Sequence, residues 1–204
     1  NGARVILALN SATTNQPQNQ AQVFVNLGDV EVVNIDTLAG ADTVTINNQV
    51  ETVGVDGMPI QAGTDLSHTP LRSLAVDLGN DADTDNLNVH GRLVDDEIDV
   101  TAHNTDTTAA GDERVDIAGL SFETMITGSD TTIAGAVVDP ASDRLTIDGN
   151  AGNDDIKVAS GVENTIAITL NGDAGNDILS ADAIINGGAG DDVLTGGALV
   201  DVIS

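Results

Sequence analysis

Residues 84–102 (TDNLNVHGRLVDDEIDVTA) align without gaps to residues 142–160 (SDRLTIDGNAGNDDIKVAS), 58 positions further on. Asp85, Leu87, Gly91, Asp96, Ile98 and Val100 fall on Asp143, Leu145, Gly149, Asp154, Ile156 and Val158. A further copy, residues 168–180 (ITLNGDAGNDILS), matches residues 145–157 at an offset of 23. Internal self-similarity of this kind means that one small structural unit is stacked on copies of itself. The unit is a turn, then Asp, one residue, an aliphatic, one residue, an aliphatic, as in Asp42-Val44-Ile46, Asp85-Leu87-Val89 and Asp143-Leu145-Ile147. Alternation with period two places the aliphatics on one buried face of a strand. Strands this short have no stability alone and must stack to bury a continuous aliphatic column.

The segment 33–46 (VNIDTLAGADTVTI) fits the same frame, with Asp42 preceding Asp96 by 54 positions. That interval equals three rungs of about 18 residues, and 58 would be three rungs with a short insertion. The expected fold is all-β: a parallel, right-handed β-solenoid of the β-helix or β-roll kind, most regular at its C-terminal end. Residues 1–141 are expected to form degenerate rungs with loop insertions. Residues 142–204 are expected to form regular rungs continuous with them in one elongated domain. Apolar spacing of three and four is sustained nowhere, so no helix is expected. Residues 16–20 (QPQNQ) read as a loop and residues 103–114 (HNTDTTAAGDER) as a polar excursion. Pro59, Pro70 and Pro140 lie between repeat segments, where a missing ladder donor does least harm.

Composition sharpens this picture. Asp outnumbers Glu 27 to 6. Glu suits helices, whereas the short Asp side chain bonds nearby backbone and favours turns, so the acid belongs to repeated turns. The chain has no Trp, Tyr or Cys, and Phe24 and Phe122 are its only aromatic residues. The core must therefore be Val, Ile, Leu and Ala, and neither disulfide nor thiolate chemistry is available. A net charge of -27 opposes binding to nucleic acid or to an anionic membrane. No apolar run approaches the ~20 residues of a membrane span. The start at Asn1, with no leader-like segment, gives the expectation of an excerpt or a processed product.

Four turns near the C-terminal end share one form: GNAGND (149–154), GDAGND (172–177), GGAGDD (187–192) and GGALVD (196–201). Residues 187–195, GGAGDDVLT, fit the nonapeptide G-G-x-G-x-D-x-U-x at every fixed position, with Leu194 as the large apolar U. Glycine permits positive φ and brings carbonyl groups close together, and Asp adds an anionic oxygen. Calcium takes six to eight oxygens, more than one such turn offers, so two stacked turns must share an ion.

On these turns the chain resembles the RTX (repeats-in-toxin) calcium-binding family. The resemblance implies calcium held by Asp carboxylates and backbone carbonyls of neighbouring turns. It assigns to calcium Gly187, Gly188, Gly190 and Asp192; Gly172, Asp173, Gly175 and Asp177; and Gly149, Gly152 and Asp154. Asp201 joins them, although Leu199 replaces a glycine in its turn. Spacing departs from the nonapeptide elsewhere: along Asp143, Asp154, Asp177, Asp192 and Asp201 only the last two lie nine apart, and the other steps are 11, 23 and 15. The upstream turns 37–42, 80–85 and 92–96 have lost most glycines and are expected to keep the strand and its Asp without metal. Asp77, Asp81, Asp83 and Asp85 form one further acidic cluster there.

The resemblance further implies secretion, typically type I export from a Gram-negative bacterium, with folding on meeting external calcium. The expected function is non-catalytic: a calcium-stabilised structural segment of a secreted or cell-surface protein such as an adhesin, matrix or filament component. Homotypic end-to-end or lateral association is part of that expectation. The alternatives are the RTX portion of a secreted hydrolase or toxin whose active domain lies elsewhere, and a polysaccharide-acting enzyme. Against the latter stand six basic residues in all and no Trp or Tyr to stack on a sugar. His68, His90 and His103 show no zinc-ligand spacing.

Overall fold

The computed structural model of the chain describes residues 4–8, 22–26, 31–37, 40–47, 71–79, 83–103, 114–129 and 143–204. The strands are β1 (Arg4–Ala8), β2 (Gln22–Asn26), β3 (Val32–Asp36), β4 (Thr43–Asn47), β5 (Ser73–Asp77), β6 (Asn86–His90), β7 (Glu97–His103) and β8 (Arg114–Ala118). They continue as β9 (Glu123–Thr127), β10 (Arg144–Asp148), β11 (Asp155–Val158), β12 (Ala167–Asn171), β13 (Ile178–Ala181), β14 (Ile184–Asn186), β15 (Val193–Gly196) and β16 (Val202–Ile203). One turn of 3-10 helix, Val162–Asn164, lies between β11 and β12. The 16–20 loop, the three prolines, His68 and Asp81 lie outside the described residues.

From β3 onwards successive strands alternate between two sheets, except that β7, β8 and β9 all lie in the larger one. One has six strands in the order β16-β14-β12-β10-β6-β4, and the other has eight in the order β15-β13-β11-β7-β8-β9-β5-β3. β1 and β2 form a separate antiparallel pair. In most of the inner repeats the two aliphatics of the Asp-x-aliphatic-x-aliphatic unit are buried, whereas at the C-terminal end Leu194 is half-buried and Ile203 exposed. Leu87 and Val89, Leu145 and Ile147, and Ile98 with Val100 are 0–1% exposed. Register stacks them in columns, such as Ile46, Val89, Ile147, Leu170 and Ile185 across β4, β6, β10, β12 and β14. Among the described residues one buried cluster draws its side chains from both sheets. Each aliphatic fully removed from water contributes roughly 1.5–3 kcal/mol, so the columns are what a chain with so few aromatics relies on.

The expected parallel right-handed β-solenoid requires correction. The six-stranded sheet is parallel throughout, but the eight-stranded sheet is mixed: β8 runs antiparallel to both β7 and β9. β7 is seven residues long, and after it the chain doubles back, so β8 and β9 fill the space between β7 and β5. Among the described residues the other sheet has no counterpart of these two strands, and β6 there neighbours both β4 and β10. The physical reason is that period-two alternation reads the same in both directions. Val115 and Ile117 bury their side chains as well in a reversed strand as in a parallel one.

The rung count is corrected too. The 58-residue offset is the register of adjacent strands, Asn86 on Arg144 and Glu97 on Asp155, hence one step and not three. The offset of 23 is likewise one step, Arg144 on Ala167 and Asp155 on Ile178. Asp42 does not occupy the place of Asp96, because Thr43 pairs with Asn86 and so sets Asp42 beside Asp85.

Candidate metal centre: the stacked Gly–Asp turns

Asp96, Asp154, Asp177 and Asp192 each immediately precede a strand of the eight-stranded sheet, and the parallel register stacks their turns. The backbone N–H of Asp96 donates to Oδ1 of Asp154 at 2.8 Å, that of Asp154 to Oδ1 of Asp177 at 2.8 Å, and that of Asp177 to Oδ1 of Asp192 at 3.0 Å. The carboxylates of Asp154, Asp177 and Asp192 are thus each clamped by the amide of the turn before. A second column runs beside the six-stranded sheet. There Asp42 N–H donates to Oδ1 of Asp85 at 2.6 Å, and Asp85 N–H to Oδ1 of Asp143 at 2.8 Å.

Asp201 belongs to the six-stranded side. Its Oδ1 accepts from the Ala183 amide at 2.8 Å, so the nine-residue step from Asp192 to Asp201 crosses from one sheet to the other. Asp77, Asp83 and Asp85 do not converge: Asp77 Oδ1 accepts the Gly79 amide, whereas Asp85 is committed to Asp42.

Burial makes the inner column electrostatically unusual. Asp154 is 1% exposed and Asp177 0%, and Oδ2 of each is buried without a hydrogen-bond partner. Desolvation pushes the Asp154 carboxyl up to about 6; the Asp96 amide opposes this, and the charges of Asp177, Asp96 and Asp95 add to it. The Asp177 carboxyl is raised for the same reason, burial first, with the Asp154 amide opposing and Asp192 and Asp173 adding to the rise. An acceptor-only group held in this way calls for a proton or a cation.

Glycine makes room at these oxygens. A β-carbon at Gly149 would strike the Asp154 carboxylate and lie 3.0 Å from the carbonyl oxygen of Gly172. One at Gly172 would strike the Asp177 carboxylate and lie 2.5 Å from the carbonyl oxygen of Gly187. Gly187 and Gly196 stand in the same relation to Asp192 and Asp201. A different demand falls on Gly175 and Gly190. Their φ values are +154° and +149°, and a β-carbon on them would collide with the carbonyls of Gly152 and Gly175 in the preceding turns.

Gly152, φ +137°, packs similarly on the backbone of Val94, and Gly188, φ +102°, on that of Asp173. Asn150 and Asp173 take up left-handed backbone at φ 74° and 67°, which Asn and Asp tolerate better than other side chains. Asp173 is exposed and reaches the column through its charge on Asp177.

The structure also brings in residues that the motif does not contain. Asp95, Asn153, Asn176 and Asp191, each one place before a column Asp, form an outer ladder of opposite polarity. Asn153 N–H donates to Asp95 Oδ1 at 2.8 Å, Asn176 N–H to Asn153 Oδ1 at 2.9 Å, and Asp191 N–H to Asn176 Oδ1 at 2.8 Å. The signal was present in the alignment as an Asn or Asp at every one of those places.

A polar row also crosses the six-stranded sheet. Asn171 Nδ2 donates to Asp148 Oδ1, Asn186 Nδ2 to Asn171 Oδ1, and Ser204 Oγ to Asn186 Oδ1. His90 Nδ1 lies 3.1 Å from Asp148 Oδ2, and His103 Nε2 lies 2.9 Å from Asp116 Oδ2.

Among the described residues no three His, Cys, Asp or Glu side chains gather into a metal-holding group. A cation at these turns would therefore draw on backbone carbonyls as much as on carboxylates. No family model, no curated protein and no solved structure matches this chain.

Proposed function

We propose that this chain is a non-catalytic structural segment of a secreted or cell-surface bacterial protein, stiffened by calcium at its stacked Gly–Asp turns. The observation that carries the reading is the pair of buried, unpartnered oxygens, Asp154 Oδ2 and Asp177 Oδ2. Each lies where a glycine leaves space beside a carbonyl oxygen of the following turn. The donors are all oxygen, which suits a hard cation. Asp154 with the Gly172 carbonyl, and Asp177 with the Gly187 carbonyl, would supply the donors, and Asp192 would add its carboxylate at the end of the column. Calcium, when bound, supplies the positive charge that the desolvated carboxylates lack.

The chain's own residues do the positioning. Asp154, Asp177 and Asp192 each have Oδ1 anchored by the amide of the preceding turn, which leaves Oδ2 aimed at the glycine-made space before any ligand arrives. The outer ladder fixes the same turns from the solvent side. Because the column exists only when the turns are stacked, cation affinity becomes folding free energy. Extracellular calcium modules bind at about 10⁻⁴ to 10⁻³ M, which fits a segment that folds outside the cell.

The test is calcium titration and chelation of the purified chain, followed by circular dichroism and scanning calorimetry. Strand signal and melting temperature should both rise with calcium in the sub-millimolar to millimolar range. A chain indifferent to calcium over that range sinks the reading.

A further inference from the structure

The inner column ends at Asp96, and it ends differently from how it runs. Asp154, Asp177 and Asp192 each receive an amide from the turn upstream. Asp96 has no such neighbour, because the strand beside β7 is the reversed β8, which leads into Gly119 packed on the Glu97 carbonyl. Arg92 takes that place. Its Nε lies 2.6 Å from Asp96 Oδ1, and its own backbone N–H donates to Asp96 Oδ2 at 2.6 Å. The Asp96 side chain is 0% exposed. In the aligned turns the place of Arg92 is held by Asn150, Asp173 and Gly188, none of them cationic.

The glycine space is conserved in form: a β-carbon at Gly91 would lie 2.7 Å from Asp96 Oδ2 and 3.0 Å from the Gly149 carbonyl oxygen. The 91–96 turn thus has the same carboxylate and the same space as its neighbours, and a guanidinium of its own.

We propose that Arg92 is the built-in counter-cation of the carboxylate column: it satisfies Asp96, lets the 91–96 turn fold without metal, and confines the metal requirement to the turns that follow. The last clause rests on the calcium reading above. The first two do not. A folded, metal-independent end gives the downstream turns a template whose Asp96 amide already points at Asp154 Oδ1. The chain would then order from β7 towards β15 as calcium is taken up.

The experiment is hydrogen exchange on the full chain, in chelator and in calcium, for the wild type, R92Q and the double variant R92Q/D96N. Wild type in chelator should keep protection over residues 97–103 while losing it over 155–158 and 178–181. R92Q in chelator should exchange on the order of tenfold faster over 97–103, since an uncompensated buried carboxylate destabilises its surroundings. R92Q/D96N, which removes that charge, should recover most of the protection, and calcium should recover it in R92Q alone.

R92Q exchanging like wild type in chelator overturns the proposal. So does a double variant no better protected than R92Q, which would make Arg92 a packing residue. Calcium that protects 155–158 in R92Q but not 97–103 overturns the equivalence of the turns. A wild type insensitive to calcium everywhere overturns the calcium reading and the confinement clause, while R92Q against R92Q/D96N still decides the counter-cation role.

Discussion

The backbone N–H of Asp154 donates to Oδ1 of Asp177, 23 residues along the chain, at 2.8 Å. The bond commits one carboxylate oxygen of Asp177 to the fold and leaves the other buried and unpartnered. Replacing Asp177 by Asn separates the two roles, because Asn keeps an Oδ1 acceptor and loses the charge. D177N should melt roughly 2–4 °C above wild type in chelator, the shift expected of about 1 kcal/mol in a chain of this size. Its gain on adding calcium should be smaller than that of wild type. Paired thermal melts with and without chelator check both directions, and a D177N that gains as much from calcium as wild type removes Asp177 from the site.

The metal-free fold should prefer mild acid. Burial lifts the Asp154 carboxyl from 3.8 to about 6, so between those values the folded chain binds a proton that the unfolded chain releases. Stability from this group is full below about pH 3.8 and is lost as pH rises through about 6. In chelator the melting temperature should therefore fall between pH 4.5 and 7, and D154N should flatten that slope. In calcium the slope should diminish or reverse, because protons then compete with the cation. Melts across that pH range, with and without chelator, decide the matter.

Glycine at position 175 is demanded by its neighbours as well as by its own backbone. Gly175→Ala places a methyl on the Gly152 carbonyl at φ +154° and should cost roughly 3–5 kcal/mol. Gly40→Ala meets nothing within 4 Å at φ +113° and should cost only the left-handed strain, about 1–2 kcal/mol. Denaturant unfolding of the two variants measures the difference. Equal costs would mean that the turns are not stacked as described.

The outer ladder should matter much less than the core. Asn176→Ala removes the acceptor for the Asp191 amide, but that amide is exposed and water replaces the lost partner, so the cost should stay below about 1 kcal/mol. Leu145→Ala hollows a fully buried column and should cost about 2–5 kcal/mol. The same unfolding measurement compares them.

Much of the strand architecture was legible in the chain. The gapless match of residues 84–102 to residues 142–160 is the strand register itself, Leu87 on Leu145 and Ile98 on Ile156. The aliphatics of the inner units, such as Leu87, Val89, Leu145 and Ile147, are the buried ones. Direction was not legible. Val115 and Ile117 alternate as Val33 and Ile35 do, and nothing in a two-residue period marks β8 as reversed. The number of steps within an interval was equally hidden, since an insertion inside a repeat lengthens the spacing without adding a stacked strand.

The Gly–Asp turns were visible as motifs, and their aspartates do line up beside the sheets. Which aspartates share a column was settled by strand pairing: Asp192 stacks on Asp177, whereas Asp201, nine residues on, answers to Ala183 across the other sheet.

The sequence by itself determined where the repeated strands lie, which side chains the inner ones bury and which turns carry an acid, because local alternation and turn chemistry are properties of neighbouring residues. Tertiary structure alone decided that β8 runs backwards, that the amide clamping each carboxylate comes from another turn, and that Arg92 meets Asp96 where the column ends. Those outcomes depend on which strand lies alongside which. Hydrogen-bond complementarity across a sheet is fixed only when the strands come together, since one strand leaves its partner and its direction open.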